Sequence, residues 1–330
     1  MLRKFIVGVV MAVVVIAGGV YAAFQLSPWP SVLLIRHSFD QLDADVTASV
    51  APLIPKEISA QRGLSYEPGS SDALFDVFAP PRMHALLPAV VWVHGGGFVA
   101  GSRTGLDGYL RVLAKRGYVT VAIDYTLAPE AQFPTPVRQT NVALAQIVAN
   151  AKRFNIDPTR IFLAGDSGGA QIAAQTALVI SDANYAQHLG IAPGLKRSSL
   201  RGVVLYCGGP YDPALLNFDG PFGSFMRTVI WSYLGTRDPR DPRLAQMEVV
   251  SHVTSAFPPA FISVGNADPL ARQSEALAEA LRAHHVKVDT LFFPTDYKPA
   301  LDHEYQLLLS TREGRLALDR SVAFLKAHAE

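Results

Sequence analysis

Gly165-Asp166-Ser167-Gly168-Gly169 stands between an apolar run, Ile161-Phe162-Leu163-Ala164, and a helix-forming run over residues 170–178, and the reading of this junction decides the fold. Strand, sharp turn and helix in that order make a G-x-S-x-G elbow. The serine hydroxyl is displayed on a tight bend, and glycines flank it because larger side chains would clash there. A second glycine cluster, His94-Gly95-Gly96-Gly97, follows the apolar run Val90-Val91-Trp92-Val93. Consecutive glycines let backbone N–H groups point at a ligand oxygen. A serine that cleaves an acyl bond needs both a nucleophile and donors for the oxyanion.

Outward from the elbow, strand-like runs recur at residues 73–79, 89–93, 119–124, 161–164, 203–207, 261–265 and 286–293, with helical patterns between them. That alternation predicts an α/β fold, a mostly parallel sheet covered by helices on both faces. Its ligand site then lies beyond the carboxyl ends of the strands. The 330 residues, 49% hydrophobic and 17% charged, suit one globular domain with additions. A net charge of +1 and no basic run give no sign of a nucleic-acid partner. No metal-ligand spacing is visible, and the glycine triplet lacks the G-x-G-x-x-G spacing of a dinucleotide site, so neither metal nor cofactor is expected. Cys207, the single cysteine, ends an apolar strand and reads as a buried, inert thiol.

Gly-Asp-Ser-Gly-Gly also surrounds the nucleophile of trypsin-like proteases, and His94 and Asp124 do precede Ser167, as that order of residues requires. The context opposes it: one cysteine, helices between the strands, and more than half of the soluble chain still to come would be odd in an all-β, disulfide-stapled domain. In the α/β arrangement the acid and base come after the serine. His303 fits the base, because it follows the last strand-like run and an irregular stretch with Pro294 and Pro299, and precedes a final helix. His284 and His285 end an amphipathic helix, His328 is in the tail, and His37, His84, His188 and His252 have no strand before them. Asp268 follows the strand-like run ending at Gly265 and is the candidate to orient His303. Its other reading is an N-cap aspartate, with Pro269 beginning the next helix. Asp302 and Asp296 are nearer in sequence but poorly placed.

With these residues on view, the chain resembles the hormone-sensitive-lipase family of α/β-hydrolases, in its bacterial esterase branch. The resemblance spans roughly residues 65–328. It rests on His94-Gly95-Gly96-Gly97-Phe98, on Asp124-Tyr125-Thr126-Leu127-Ala128-Pro129-Glu130, on Phe133-Pro134, on the Ser167 elbow, on Asp268-Pro269-Leu270 and on His303. It implies a Ser167–Asp268–His303 triad, with oxyanion donors from the N–H groups of Gly96, Gly97 and Gly168. It implies an α/β-hydrolase fold with a helical cap, and a serine carboxylesterase acting on short- to medium-chain esters through an acyl-enzyme. The family usually carries arginine where Thr126 stands and alanine where Gly168 stands. An amidase or peptidase on this fold would use the same triad. A binding protein on a hydrolase scaffold would normally have lost a triad member, and none is lost.

Two stretches fall outside the alternation. Residues 26–65 and 209–256 are expected to be cap segments, the second carrying the aromatic helical run from Phe222 to Leu234. Residues 1–25 are expected to be a membrane anchor or a signal peptide: Arg3 and Lys4 precede twenty uncharged, mostly apolar residues, 5–24. With positive charge at the start, an uncleaved anchor leaves the catalytic part extracytoplasmic. Cleavage after Val20-Tyr21-Ala22 would instead release it to the periplasm or outside.

Overall fold

A computed structural model describes residues 2–81 and 85–330, with the backbone alone for 40–43. His84 lies outside the described residues. The eight strands are β1 (Ser59–Ser65), β2 (Leu74–Ala79), β3 (Leu87–Val93), β4 (Val119–Ile123), β5 (Ile156–Asp166), β6 (Leu200–Tyr206), β7 (Ala260–Val264) and β8 (Val288–Phe292). They form one sheet in the order β1-β2-β4-β3-β5-β6-β7-β8. The pairs β1/β2 and β2/β4 are antiparallel, and every pair from β4 to β8 is parallel.

The central strands are continuous apolar runs because both of their faces are covered. Val91, Val93, Leu163, Val203 and Ile262 join one core, while their neighbours Val90, Trp92, Phe162, Val204 and Phe261 join the other. Period-two alternation therefore sorts residues between two dry faces rather than between core and water. The first face is covered by α4 (Thr135–Ala149), α5 (Ser167–Ser181) and α9 (Ala271–Ala283). The second is covered by α3 (Asp107–Ala114) and α10 (Arg312–His328). Each supplies a stripe of apolar residues at helical spacing, such as Leu277, Ala278 and Leu281 of α9. This is an α/β architecture with no resemblance to the all-β protease frame.

The seven anticipated strands are all present, but β1 is additional and lies inside the stretch 26–65 that reads as lying outside the sheet. Its sequence Ser-Ala-Gln-Arg-Gly-Leu-Ser has no alternation to detect, since it is an edge strand with no fully buried residue and a register shift between Gln61 and Leu64. The rest of that stretch begins with α2 (Trp29–Val50). Before it stands α1 (Leu2–Leu26), whose most apolar 18-residue stretch has mean hydropathy 2.6 and which has no buried residue. Between β6 and β7 lie α7 (Gly220–Leu234) and the short α8 (Pro242–Met247); α6 (Ala183–Leu189) precedes β6.

The elbow helix α5 is pressed into the sheet through its glycines. A Cβ on Gly169 would stand 2.2 Å from the Val93 carbonyl oxygen and 2.3 Å from that of His94, both backbone atoms that cannot yield. Gly169→Ala is therefore expected to destabilise the fold by more than about 3 kcal/mol. Urea denaturation measures this, with Gly117→Ala (φ +99°, nothing within 4 Å of its Cβ) reporting left-handed strain alone.

Candidate active site

Three loops at the carboxyl ends of β5, β7 and β8 converge. Ser167 sits at the junction of β5 and α5 with φ +51°, a left-handed conformation that a non-glycine residue adopts under strain. Gly165 makes the turn possible, because a Cβ there would lie 2.6 Å from the carbonyl carbon and oxygen of Gly169. His303 Nε2 is 2.9 Å from Ser167 Oγ, and His303 Nδ1 is 2.8 Å from Asp268 Oδ2. The Asp268 side chain is fully buried, while the imidazole is 32% exposed on its outer side. The structure thus brings together all three residues singled out from the sequence. Asp268 is not the N-cap of α9, which begins at Ala271 after Leu270; its Oδ2 faces His303, and its Oδ1 accepts from Leu270 N–H at 2.7 Å in the turn before the helix. Asp296 and Asp302 are exposed.

Residues 35 positions apart need a physical tie. Ala267 N–H donates to the Leu301 carbonyl at 3.0 Å, and Leu301 N–H donates to Asn266 Oδ1 at 3.0 Å. A Cβ on Gly265 would stand 2.1 Å from the Leu301 carbonyl oxygen, so the acid loop and the base loop touch along their backbones. The Tyr305 hydroxyl meets Ser263 Oγ at 2.8 Å, anchoring the chain just past His303 to β7.

The glycine loop after β3 completes the arrangement. Gly96 (φ +102°) and Gly97 (φ +58°) adopt left-handed backbone, and the Gly96 carbonyl accepts from Val99 and Ala100 N–H. Gly168 packs directly on this loop: a Cβ on it would lie 3.1 Å from Phe98 N and 3.3 Å from Gly97 Cα. Among the described residues, no acceptor takes the N–H of Gly96, Gly97 or Gly168. The first N–H groups of a helix such as α5 have no partner within the helix.

Two residues whose roles the sequence reading did not assign hold the loop in place. Asp166, 3% exposed, accepts from Trp92 Nε1 at 2.7 Å through Oδ1 and from Gly95 N–H at 2.8 Å through Oδ2. It lies within the elbow motif and was legible there as a residue, though not as a tether. Arg103 donates to Asp76 at 2.9 Å and, through its backbone and guanidinium, to Asp124. His94 shapes the loop, its ring stacked on Tyr125 at 4.4 Å and its Nδ1 2.7 Å from the Gly95 carbonyl. At Thr126, where the resemblance leads one to expect arginine, the backbone N–H and the hydroxyl instead bond Gln139 at 2.9 Å each.

Burial disfavours the charged form of His303, yet its contacts with Cys207 and Asp268 outweigh this and hold its pKa well above the ordinary 6.5. Burial pushes the Cys207 thiol up to about 12, so near neutral pH it is uncharged and the Asp268 carboxylate is the charge that acts. Cys207, Asp268 and His303 bring ligand-type atoms within 4.8 Å of one another. The His303–Asp268 hydrogen bond and the high-pKa thiol fit a proton relay better than an ion cage. An imidazole aimed at a hydroxyl, backed by a buried carboxylate and flanked by N–H groups, can deprotonate the hydroxyl and receive an oxyanion.

Fold and site together define a class, and the comparisons agree with it. A family model described as alpha/beta hydrolase fold matches residues 90–297, and the chain belongs to that family. The match takes in the glycine loop, the Ser167 elbow and Asp268 and stops short of His303. The chain is 29% identical over 256 residues to carboxylesterase NlhH of Mycobacterium tuberculosis, covering 74% of this chain and 75% of that protein. Among solved structures it resembles the Pyrobaculum calidifontis esterase (25% identity, TM-score 0.71, 90% of this chain and 93% of that one). It shares its fold with esterase B of Lactobacillus rhamnosis, at 21% identity and TM-score 0.79, over 90% and 96% of the two chains.

The raised pKa sets a pH dependence. A base must be neutral, so with His303 as the proposed base activity should be lost as pH falls through its pKa, with the acid limb above pH 6.5. Asp268→Asn removes the charge that stabilises the imidazolium. The limb should then move to lower pH while the maximal rate drops by about 10³–10⁴-fold, read from kcat/KM against pH.

Proposed function

We propose that this protein is a serine carboxylesterase that cleaves short- to medium-chain carboxylic esters through an acyl-enzyme. The observation that carries the reading is the unbroken Ser167–His303–Asp268 chain of hydrogen bonds at 2.9 and 2.8 Å. Similarity to carboxylesterase NlhH supports it.

In this reading Ser167 Oγ attacks the ester carbonyl as its proton passes to His303 Nε2. The carbonyl oxygen becomes an oxyanion received by the N–H groups of Gly96, Gly97 and Gly168, each worth on the order of a hundredfold in rate. His303 then protonates the departing alcohol, leaving an acyl ester on Ser167. Water attacks that ester, gives its proton to His303, and the acid departs as Ser167 is restored. Asp268 holds the imidazole tautomer that presents Nε2 as acceptor and stabilises the imidazolium.

Helices α2 and α7 act as the cap over this centre. Phe225 and Val229 of α7 both lie 3.1 Å from where a Cβ on Gly97 would stand, and Phe39 of α2 stacks on Phe225 at 6.4 Å. An aromatic wall beside the oxyanion loop suits the apolar acyl or alcohol group and limits its length. A chain-length series of p-nitrophenyl esters tests the whole reading. Ser167→Ala should lower turnover by more than about 10³-fold on every ester, and Phe225→Ala should shift the preferred acyl chain to greater length. Turnover that survives in Ser167→Ala would remove the assignment.

Helix α1 is long and apolar enough to cross a bilayer, at 25 residues with an 18-residue stretch of mean hydropathy 2.6. We read it as an anchor that keeps the catalytic part extracytoplasmic, with a cleaved signal peptide as the other use of the same helix. Carbonate washing of cell membranes should leave the full-length chain in the pellet. A soluble chain lacking residues 1–22 would mark the cleaved alternative.

A further inference from the structure

The acyl-transfer scheme leaves one residue at the centre unused. Glu304 follows His303 and has φ +61°, where an L side chain is strained and a glycine would not be. Its side chain is 19% exposed, and Oε1 lies 3.8 Å from His303 Nε2, the same nitrogen that meets Ser167 Oγ. On its other side Oε1 is 2.9 Å from where a Cβ on Gly95 would stand, so the carboxylate spans from the base to the root of the glycine loop. A cavity of about 30 Å³ borders Glu304 on its glycine-loop side, lined also by Asp166, His94, Gly95 and Gly96 but by neither His303 nor Ser167.

A water bonded at about 2.8 Å to two acceptors holds them about 4–5 Å apart, and Nε2 and Oε1 approach that spacing at 3.8 Å. We propose that Glu304 is a positioning residue for deacylation, fixing the attacking water against His303 Nε2. The inference rests on the serine-esterase reading. In the step itself the water oxygen forms a bond to the acyl carbon and the carbon–Oγ bond breaks. One water proton goes to Nε2 and from there to Ser167 Oγ. The other hydrogen stays on the new acid, having been held by Glu304 Oε1 during the attack; Glu304 neither gains nor loses a proton. In acylation Nε2 takes its proton from Ser167, already 2.9 Å away, so that half of the reaction has no use for the bridge. The strained backbone at position 304 is what aims the carboxylate inward.

The two half-reactions separate in kinetics, and that gives the test. Full-length Glu304→Gln keeps the side-chain shape, and Glu304→Gly relieves the left-handed strain, so the glycine variant should remain folded. On p-nitrophenyl acetate both variants should lose about tenfold or more in kcat, while kcat/KM, which reports acylation, stays within about threefold. A burst of p-nitrophenol should precede the slow steady state, and intact-mass spectra should show the acyl adduct, absent from Ser167→Ala/Glu304→Gln. Hydroxylamine, which attacks the acyl-enzyme without needing a fixed water, should restore turnover. Equal losses in kcat and kcat/KM, or wild-type values of both, would overturn the role of Glu304 while wild-type activity and an inert Ser167→Ala keep the esterase reading intact. A folded wild type that forms no acyl adduct on any ester would overturn both.

Discussion

A single buried carboxylate holds the two glycine motifs in register. Asp166 accepts from the Trp92 indole on β3 and from Gly95 N–H at the start of the glycine loop, while its backbone leads straight into Ser167. The serine turn and the oxyanion loop are seventy residues apart in sequence, and both lie at the mouth of adjacent parallel strands. Without a fixed link, each could relax independently by the ångström that matters in acyl transfer. Charge-assisted hydrogen bonds to both partners, from a side chain only 3% exposed, supply that link. The left-handed strain at Ser167 is sustained by the same framework, since Gly165 and Gly169 let α5 sit hard against the β3 backbone.

Asp268 and His303 are positioned by a different device. They belong to separate loops whose backbones interlock through Ala267, Leu301 and Asn266, and whose roots are pinned by Tyr305 and Ser263. Asp268 splits its oxygens between the helix-opening turn and the imidazole. A structural role and a chemical one are therefore the same arrangement seen from two sides. The high pKa of His303 follows from this: a fully buried, turn-bound carboxylate cannot be solvated away from the imidazolium it faces.

The outer layer is coupled to this centre by aromatic packing. Phe98, the residue after the glycine triplet, stacks on Tyr233 of α7 at 4.0 Å, and Phe133 N–H donates to the Tyr233 carbonyl. The helix that supplies Phe225 is thus locked to the loop it overhangs. Helix α2 reaches the same loop from the other side, where Arg36 donates to the Val99 and Ala128 carbonyls and pairs with Glu130. Since α1 runs into α2 with only Ser27 and Pro28 between them, the apolar N-terminal helix, α2 and the glycine loop form one connected path.

The sequence by itself determined the parallel sheet, the elbow and the glycine loop, and it singled out Ser167, Asp268 and His303, three residues that the fold brings into contact. Each of these is written in local pattern: continuous apolar runs for strands with two covered faces, glycines where a Cβ would strike backbone, and an acid and a histidine each just past a strand. It did not reveal β1, because an exposed edge strand has no burial to impose alternation on Ser59–Ser65. Nor did it assign Asp166, Arg103 or Glu304 their tasks. A tether is defined by what lies at its other end, and Trp92, Asp76, Gly95 and the His303 ring come beside these side chains only once the strands have been ordered. Tertiary structure alone decided which oxygen of Asp268 faces the base and that a carboxylate stands beside the reacting nitrogen. Hydrogen bonds need partners within about 3 Å, and for residues dozens of positions apart only the folded sheet sets that distance.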